Sequence, residues 1–307
     1  MGLFYFWFFS APQKNKESER YIIPLNFSAT EISSDLKTNG FIKNQLAFDF
    51  IISIKSGLSN IKAGGYKISK SMNVWEITDI LIKKPYMEWV VIPEGLRKEE
   101  IAEILGQKLS WNSDKKENWL KTATTQKPEY FEGVYFPDTY LIPIDETLLQ
   151  IAARLQAKFQ EKFTPYAKEA ANQNIKWDTA LKIASIIQRE SAGKNDMPII
   201  SAVIWNRLLQ GMKLDIDATI QYARGNTGQG WWAPINVSDK QINSPYNTYK
   251  YKGLPPHPIC NPGLDAINAV LNPAKTDCLY YLHDSSKTIH CAETYEEHLQ
   301  NIQRYLK

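Results

Sequence analysis

The sequence predicts an α+β protein, and three observations carry that reading. Apolar residues recur at three- and four-residue intervals in several long stretches, as in Ile183, Ile186 and Ile187, which marks amphipathic helices. Short extended runs such as Met87–Pro93 fall between these helices without the regular strand–helix alternation of a parallel sheet. Glycine, proline and asparagine break the chain at intervals that suit turns. With 307 residues the chain is long enough for two domains.

In chain order, residues 1–20 form an apolar start and a polar tether. Leu3 to Phe9 is wholly apolar and aromatic, yet a membrane-spanning helix needs about 20 such residues. It reads as the exit end of a transmembrane anchor, as an N-terminal strand or as a sticky tail. Residues 21–86 follow as a small module in the order strand, helix, helix, strand, helix. Its first strand is Tyr21 to Phe27. Ser28 or Thr30 caps a helix ending at Gly40, and a second helix ends at Gly57. Asn73 caps a third, which Lys83, Lys84 and Pro85 stop. Residues 87–307 form a larger mixed domain with a helical centre. A helix follows the Met87–Pro93 strand, ENWLKTA is helical, and YFEGVYFPDTYLIP is irregular and broken by proline. Thr147 to Phe163 is helical.

The centre is Trp177 to Tyr222. Asp178 is the expected N-cap and Gly193 the left-handed stop of its first helix. Asp196 or Met197 opens the second helix, with Pro198 in the first turn and Gly211 at the close. Beyond Tyr222 runs a long loop-rich segment bearing Trp231, Trp232, Tyr246, Tyr249 and Tyr251. Irregular runs of this length are functional or disordered, and the aromatic residues favour order. A helix, a hairpin and a last helix from about Thr294 to Leu306 complete the chain.

A net charge of +3 with no dense basic block excludes nucleic acid as a natural partner. Cys260, Cys278 and Cys291 are an odd set, so no full disulfide framework is expected, although Cys278 and Cys291 flank the hairpin closely enough to bridge. Four histidines cluster towards the C-terminus without metal-ligand spacing, and no metal or cofactor is expected.

One polar residue interrupts the central pattern. Glu190 continues the Ile183, Ile186, Ile187 face, where a core residue belongs. It is either a helix-end carboxylate that reaches solvent or pairs with Arg189 or Lys194, or a general acid whose pKa an apolar wall raises.

The runs IIQRESAG, MPIISAVIWNRLLQGMKLDIDATIQYA, SPYNTYKYKGLPPHPICNPG and LYYLHD…TIHCAETYEEHLQNIQRYL resemble, in order and spacing, the endolytic murein transglycosylases of the MltG (YceG-like) type. The likeness runs from about Tyr21 to the end. It implies a LysM-like subdomain at 21–86 and a YceG-like catalytic domain at 87–307. It implies a lyase that cleaves the bond between N-acetylmuramic acid and N-acetylglucosamine in nascent strands, leaves 1,6-anhydro ends and terminates elongation. Partners implied are peptidoglycan glycan strands, peptidoglycan synthases, and the cell membrane through a single-pass N-terminal anchor with the catalytic domain outside. Glu190 matches the family's catalytic glutamate. Ser191, Asp217, Thr219, Gln221, Tyr222, Asn247 and Tyr249 match blocks expected to bind substrate, though Asp217, Thr219 and Asn247 equally suit structural ties. His257 stands where a glycine is usual, Cys291 replaces an apolar residue, and Gln221 occupies an often apolar position. A non-catalytic peptidoglycan-binding scaffold is the competing reading. A two-carboxylate hydrolase would have to draw its second acid from Asp215 or Asp217. On the enzymatic reading, Glu190 lines an open cleft beside Tyr249 and the GLPP loop.

Overall fold

The computed structural model describes residues 7–55, 61–125, 127 and 131–306, so most of the apolar start and the expected end of the second helix at Gly57 lie outside the described residues. The architecture is mixed α+β, with an antiparallel four-stranded sheet and a separate two-stranded one. The chain divides into two compact units: Met1–Val91 with Leu105–Trp111 and Thr139–Thr147, and the remainder.

In the first unit, strands β1 (Glu19–Ile23), β2 (Gly64–Ile68), β3 (Met87–Val91) and β4 (Thr139–Pro143) lie in that spatial order, each antiparallel to the next. The sequence-level boundary at 86/87 therefore falls between two strands of one sheet. β4 comes from the stretch that reads as irregular. Its proline is the last strand residue, where a missing N–H is tolerated, and Tyr140 and Ile142 alternate inward. Ser28 caps helix Ala29–Thr38 and Asn73 caps helix Val74–Leu81, both through capping boxes with Glu31 and Glu76. Their inner faces, with helix Gln45–Lys55, bury Ile32, Leu36, Phe48, Ile51, Ile77 and Leu81. Each such side chain contributes about 1.5–3 kcal/mol against exposure.

The second unit is built on helix Trp177–Glu190, which buries Leu181, Ile183, Ile186 and Ile187. It packs against helices Leu148–Asn172, Met197–Leu209, Asp217–Arg224 and Leu264–Leu271. Two details of its ends differ from expectation. Lys176 is the N-cap, and Asp178 lies inside the first turn, bonded to Lys182. The helix stops at Glu190 because Ser191 turns extended, while the Asp196 carboxylate accepts from Ala192 N (2.8 Å) and Gly193 N (3.3 Å). Those bonds satisfy amides that a further helical turn would have used, so no left-handed glycine is needed. Helix Leu148–Asn172 runs through Pro165, where the expected helix stops short. Phe159 and Phe163 stack 4.8 Å apart on it, and Phe163 meets Trp177 edge-on. This aromatic burial outweighs the hydrogen bond that proline removes.

Strands β5 (Tyr280–His283) and β6 (Ile289–Ala292) make the predicted hairpin, followed by helix Tyr295–Tyr305 with Thr294 as its cap. Cys278 and Cys291 form a disulfide, and Cys260 is free and buried. Asn206 on helix Met197–Leu209 donates to the carbonyls of Thr276 (2.9 Å) and Cys278 (3.1 Å), and Arg207 donates to that of Leu279 (2.6 Å). The base of the hairpin is thereby fastened to that helix. Among the described residues no helix is long and apolar enough to cross a membrane.

Candidate active site

The last residue of helix Trp177–Glu190 opens into a cavity of about 510 Å³. Helix Met197–Leu209 supplies Val203, Ile204 and Arg207 to its wall, and the following segment supplies Leu214, Asp215, Ile216 and Asp217. Lys240 and Tyr249 enter from the loop-rich run, Tyr280 and Tyr281 from β5, and Tyr295 and His298 from the last helix. Four apolar side chains thus face a ring of polar and aromatic ones. Neither Gly253 nor Pro255 and Pro256 belong to this lining among the described residues. Pro256, His257 and Pro258 lie instead beside Trp177 and Leu181, towards the other end of the Glu190 helix. The loop cannot stand beside Glu190 because Ile259 N is bonded to Ser185 and Gly263 N to Gln188, which lays the following segment along the helix.

The Glu190 carboxyl is held by two donors. Tyr281 donates its hydroxyl to Oε2 at 2.8 Å, and Ala218 N approaches Oε1 at 3.4 Å. Burial pushes the carboxyl pKa above the usual range, the two hydrogen bonds pull it back, and Asp217 adds to the rise. Neither suggested ion-pair partner reaches it. Arg189 lies 3.9 Å over the Trp232 ring, and Lys194 pairs with Asp265.

Asp217 accepts from the Tyr249 hydroxyl, whose pKa rises through burial and through that carboxylate. Asp215 is paired with Arg207 at 3.2 Å. The rest of the Arg207 guanidinium is directed at the carbonyls of Lys213, Leu214 and Leu279. Lys240 lies 4.3 Å from the Tyr249 ring centre.

Of the eight residues the sequence singles out, Glu190, Asp217 and Tyr249 meet in the cavity. Asn247 is wholly buried: its Nδ2 donates to the carbonyls of Lys240 and Ile242, and its Oδ1 accepts from Tyr249 N and Lys250 N. It therefore fixes the backbone of two cavity residues at once. Thr219 is also fully buried, bonded to Ile216 O and to the Thr248 hydroxyl. Gln221 donates to the carbonyls of Trp232 and Ala233. Tyr222 is buried against Arg97 and Tyr246. Ser191 caps the Glu190 helix. Sequence reasoning misses Tyr281, Lys240, Tyr295 and His298. The cavity lining also includes Arg207, which pairs there with Asp215. The one available signal for Tyr281 is the LYYLHD run, which reads simply as a strand.

The model of the YceG-like family matches residues 21–304. A protein of Streptococcus pneumoniae named endolytic murein transglycosylase is 29% identical, covering 94% of this chain and 59% of its own length. One of the same name from Bacillus subtilis is 29% identical, over 92% of this chain and 84% of its own. The chain thus spans about three fifths of the length of the pneumococcal relative. A crystal structure of a yceG-like protein from Listeria monocytogenes superposes with a TM-score of 0.67 at 30% identity, covering 92% of this chain and 98% of that one.

Proposed function

Taking as premise that the chain belongs to the YceG-like family, we propose that it is a lytic transglycosylase acting inside peptidoglycan strands. The bond cleaved joins N-acetylmuramic acid to N-acetylglucosamine, and the products carry 1,6-anhydro-muramyl ends that stop strand elongation. The observation that carries this reading is a single carboxyl, Glu190, deep enough to stay protonated above the usual range yet open to a cavity.

The chemistry follows from that one group. Protonated Glu190 gives its proton to the glycosidic oxygen as the C1–O bond breaks. The muramyl 6-hydroxyl then attacks C1 and returns its proton to the carboxylate, so atoms balance without water. A hydrolase would need a second carboxylate as base or nucleophile. The two nearest acids already have partners, Asp217 in Tyr249 and Asp215 in Arg207, which argues against that role for either. On this reading both line the cavity in which the oxocarbenium-like charge develops, where nearby acceptor oxygens favour it.

On the same reading residues 21–86 form a LysM-like module and the chain works on the outer face of the cell membrane. The Cys278–Cys291 disulfide supports that side, since such bonds persist in oxidising compartments. The apolar Leu3–Phe9 run fits an anchor leading into it. Digestion of purified peptidoglycan by the wild type and by Glu190→Gln, with product ends identified by mass spectrometry, tests the proposal. Anhydro ends that vanish in the variant are expected. Reducing ends from the wild type would instead establish hydrolysis, and no cleavage by either would leave a peptidoglycan-binding scaffold.

A further inference from the structure

We propose that Tyr281 is the positioning residue that keeps the Glu190 proton on Oε1, the oxygen that meets only the distant Ala218 amide. This deepens the reading of Glu190 as acid and base and rests on it.

The argument begins with the two oxygens. In a protonated carboxyl, the carbonyl oxygen is a good hydrogen-bond acceptor and the hydroxyl oxygen a poor one. The Tyr281 hydroxyl reaches Oε2 at a well-formed 2.8 Å, whereas Ala218 N stands at 3.4 Å from Oε1, the outer edge of bonding range. The stronger donor therefore selects Oε2 as carbonyl and leaves the proton on Oε1. Were the proton on Oε2, it would have to point at the tyrosine oxygen, and the tyrosine proton would lose its acceptor in a half-buried site. Once the proton has gone to the glycosidic oxygen, the same hydroxyl stabilises the carboxylate without moving. Tyr281 thus serves both half-reactions from one position.

The hairpin is built to hold that position. Cys291 stands directly opposite Tyr281 in the β5–β6 ladder, and its disulfide to Cys278 closes the strands at that level. Two residues along β5, His283 donates to or accepts from Asp196 at 2.7 Å, the residue that caps the amides just past Glu190. One strand therefore grips both the carboxyl and the loop that follows it. The other charged and titratable groups around the carboxyl are Asp217, Asp215, Tyr249, Lys240, Arg207, Tyr280, Tyr295 and His298 in the cavity wall, with His283 on the same strand.

The test reads the carboxyl directly. Infrared difference spectra of protein carrying ¹³C-glutamate, with Glu190→Gln to assign the band, report the C=O stretch of protonated Glu190. A carbonyl that accepts a hydrogen bond absorbs at lower frequency than a free one. In Tyr281→Phe the band is expected to move to higher frequency and the Glu190 titration midpoint to rise. The kcat is expected to fall about 10- to 100-fold with KM unchanged, and the alkaline limb of the pH profile to move up with the midpoint. Replacing Tyr281 with 3-fluorotyrosine, a stronger donor of nearly the same shape, is expected to shift band and midpoint the opposite way. An unmoved band in both variants overturns the proposal, as does a lower kcat with no displacement of the pH limb. The spectra need no turnover. A wild type that makes no anhydro ends therefore defeats the functional reading while the Tyr281 result stands on its own.

Discussion

Two glutamates in the second unit lie in low-dielectric surroundings, and they differ in what surrounds them. Glu132 is wholly buried and receives Lys98 N on both oxygens at 3.2 Å, Asn261 Nδ2 at 2.8 Å and the Tyr222 hydroxyl at 3.4 Å. Its carboxylate sits at the start of helix Lys98–Leu109, where free amides and the helix dipole welcome negative charge. Burial nevertheless pushes its pKa up to about 7. Glu190 shares the direction of shift but has two donors and an open cavity. Elevated pKa alone would nominate both as acids. Access separates them: Glu132 is a keystone buried among Arg97, Asn261 and Tyr222, whereas Glu190 lines an open cavity.

The largest expected effect tests that separation at its centre. Glu190→Gln should lower turnover by about 10²–10⁴, the usual share of a general acid, while folding normally. Glu132→Ala should do the reverse. It strands the Lys98 amide, Asn261 and the nearby Arg97 charge, and should cost about 3–5 kcal/mol in denaturant unfolding with kcat per folded molecule near wild type. A Glu132 variant that folds well but does not turn over would collapse the distinction.

The pH dependence sharpens it further. Both folded pKa values lie above the unfolded one, so the stability linked to each group is fully present below the unfolded carboxylate range. It is lost as pH rises through the folded value, which for Glu132 means across pH 7. Relative to wild type, Glu132→Gln should therefore gain Tm progressively from the unfolded carboxylate range up to about pH 7 and level off above it. Glu190→Gln should be more stable than wild type at alkaline pH and lose that advantage in acid. Thermal melts across pH 4–9 check both signs. A constant difference between variant and wild type would mean that neither group titrates as its burial implies.

Next in size is the hairpin that braces Tyr281. The disulfide closes a loop with a sequence separation of 13, and its loss through Cys291→Ser should cost about 3 kcal/mol. Turnover should fall in step with loss of the Tyr281 contact. An unchanged Tm on reduction would show that the Asn206 and Arg207 bonds alone hold the hairpin.

How much of this was legible beforehand depends on the range of the interaction. Helix Trp177–Glu190 and the misplaced acid at its end follow from local periodicity, and so does the cap at Asn73, while the structure chooses Ser28 over Thr30 and adds the Glu31 and Glu76 halves of the capping boxes. Tyr281 lies 91 residues from Glu190, and nothing in its own strand marks it as a partner. Glu132 hides in an aromatic stretch that reads as irregular, and its donors come from residues 98, 222 and 261. Asn247 is an instructive intermediate. Its motif was visible, but only the fold shows that all its polar atoms turn inward to carbonyls and amides of its own loop. Polar residues in a recognisable block can hold the backbone of a site without touching what the site binds.

Gln221 makes that distinction measurable, with the smallest effect of the set. Its amide bridges the carbonyls of Trp232 (3.1 Å) and Ala233 (3.3 Å), one turn of helix beyond Asp217 and outside the cavity lining. Gln221→Ala removes donors from two partly covered carbonyls, which should cost about 1–2 kcal/mol in stability. Because Arg224 also donates to Ala233 and Pro234, the loop retains an anchor and the cavity residues keep their places. The kcat/KM should then stay within about twofold of wild type, a change of less than about 0.5 kcal/mol in transition-state stabilisation. A tenfold or greater fall in kcat/KM without loss of Tm would return Gln221 to the substrate. The boundary between the cavity and its supports would then have to be redrawn on that side of helix Asp217–Arg224.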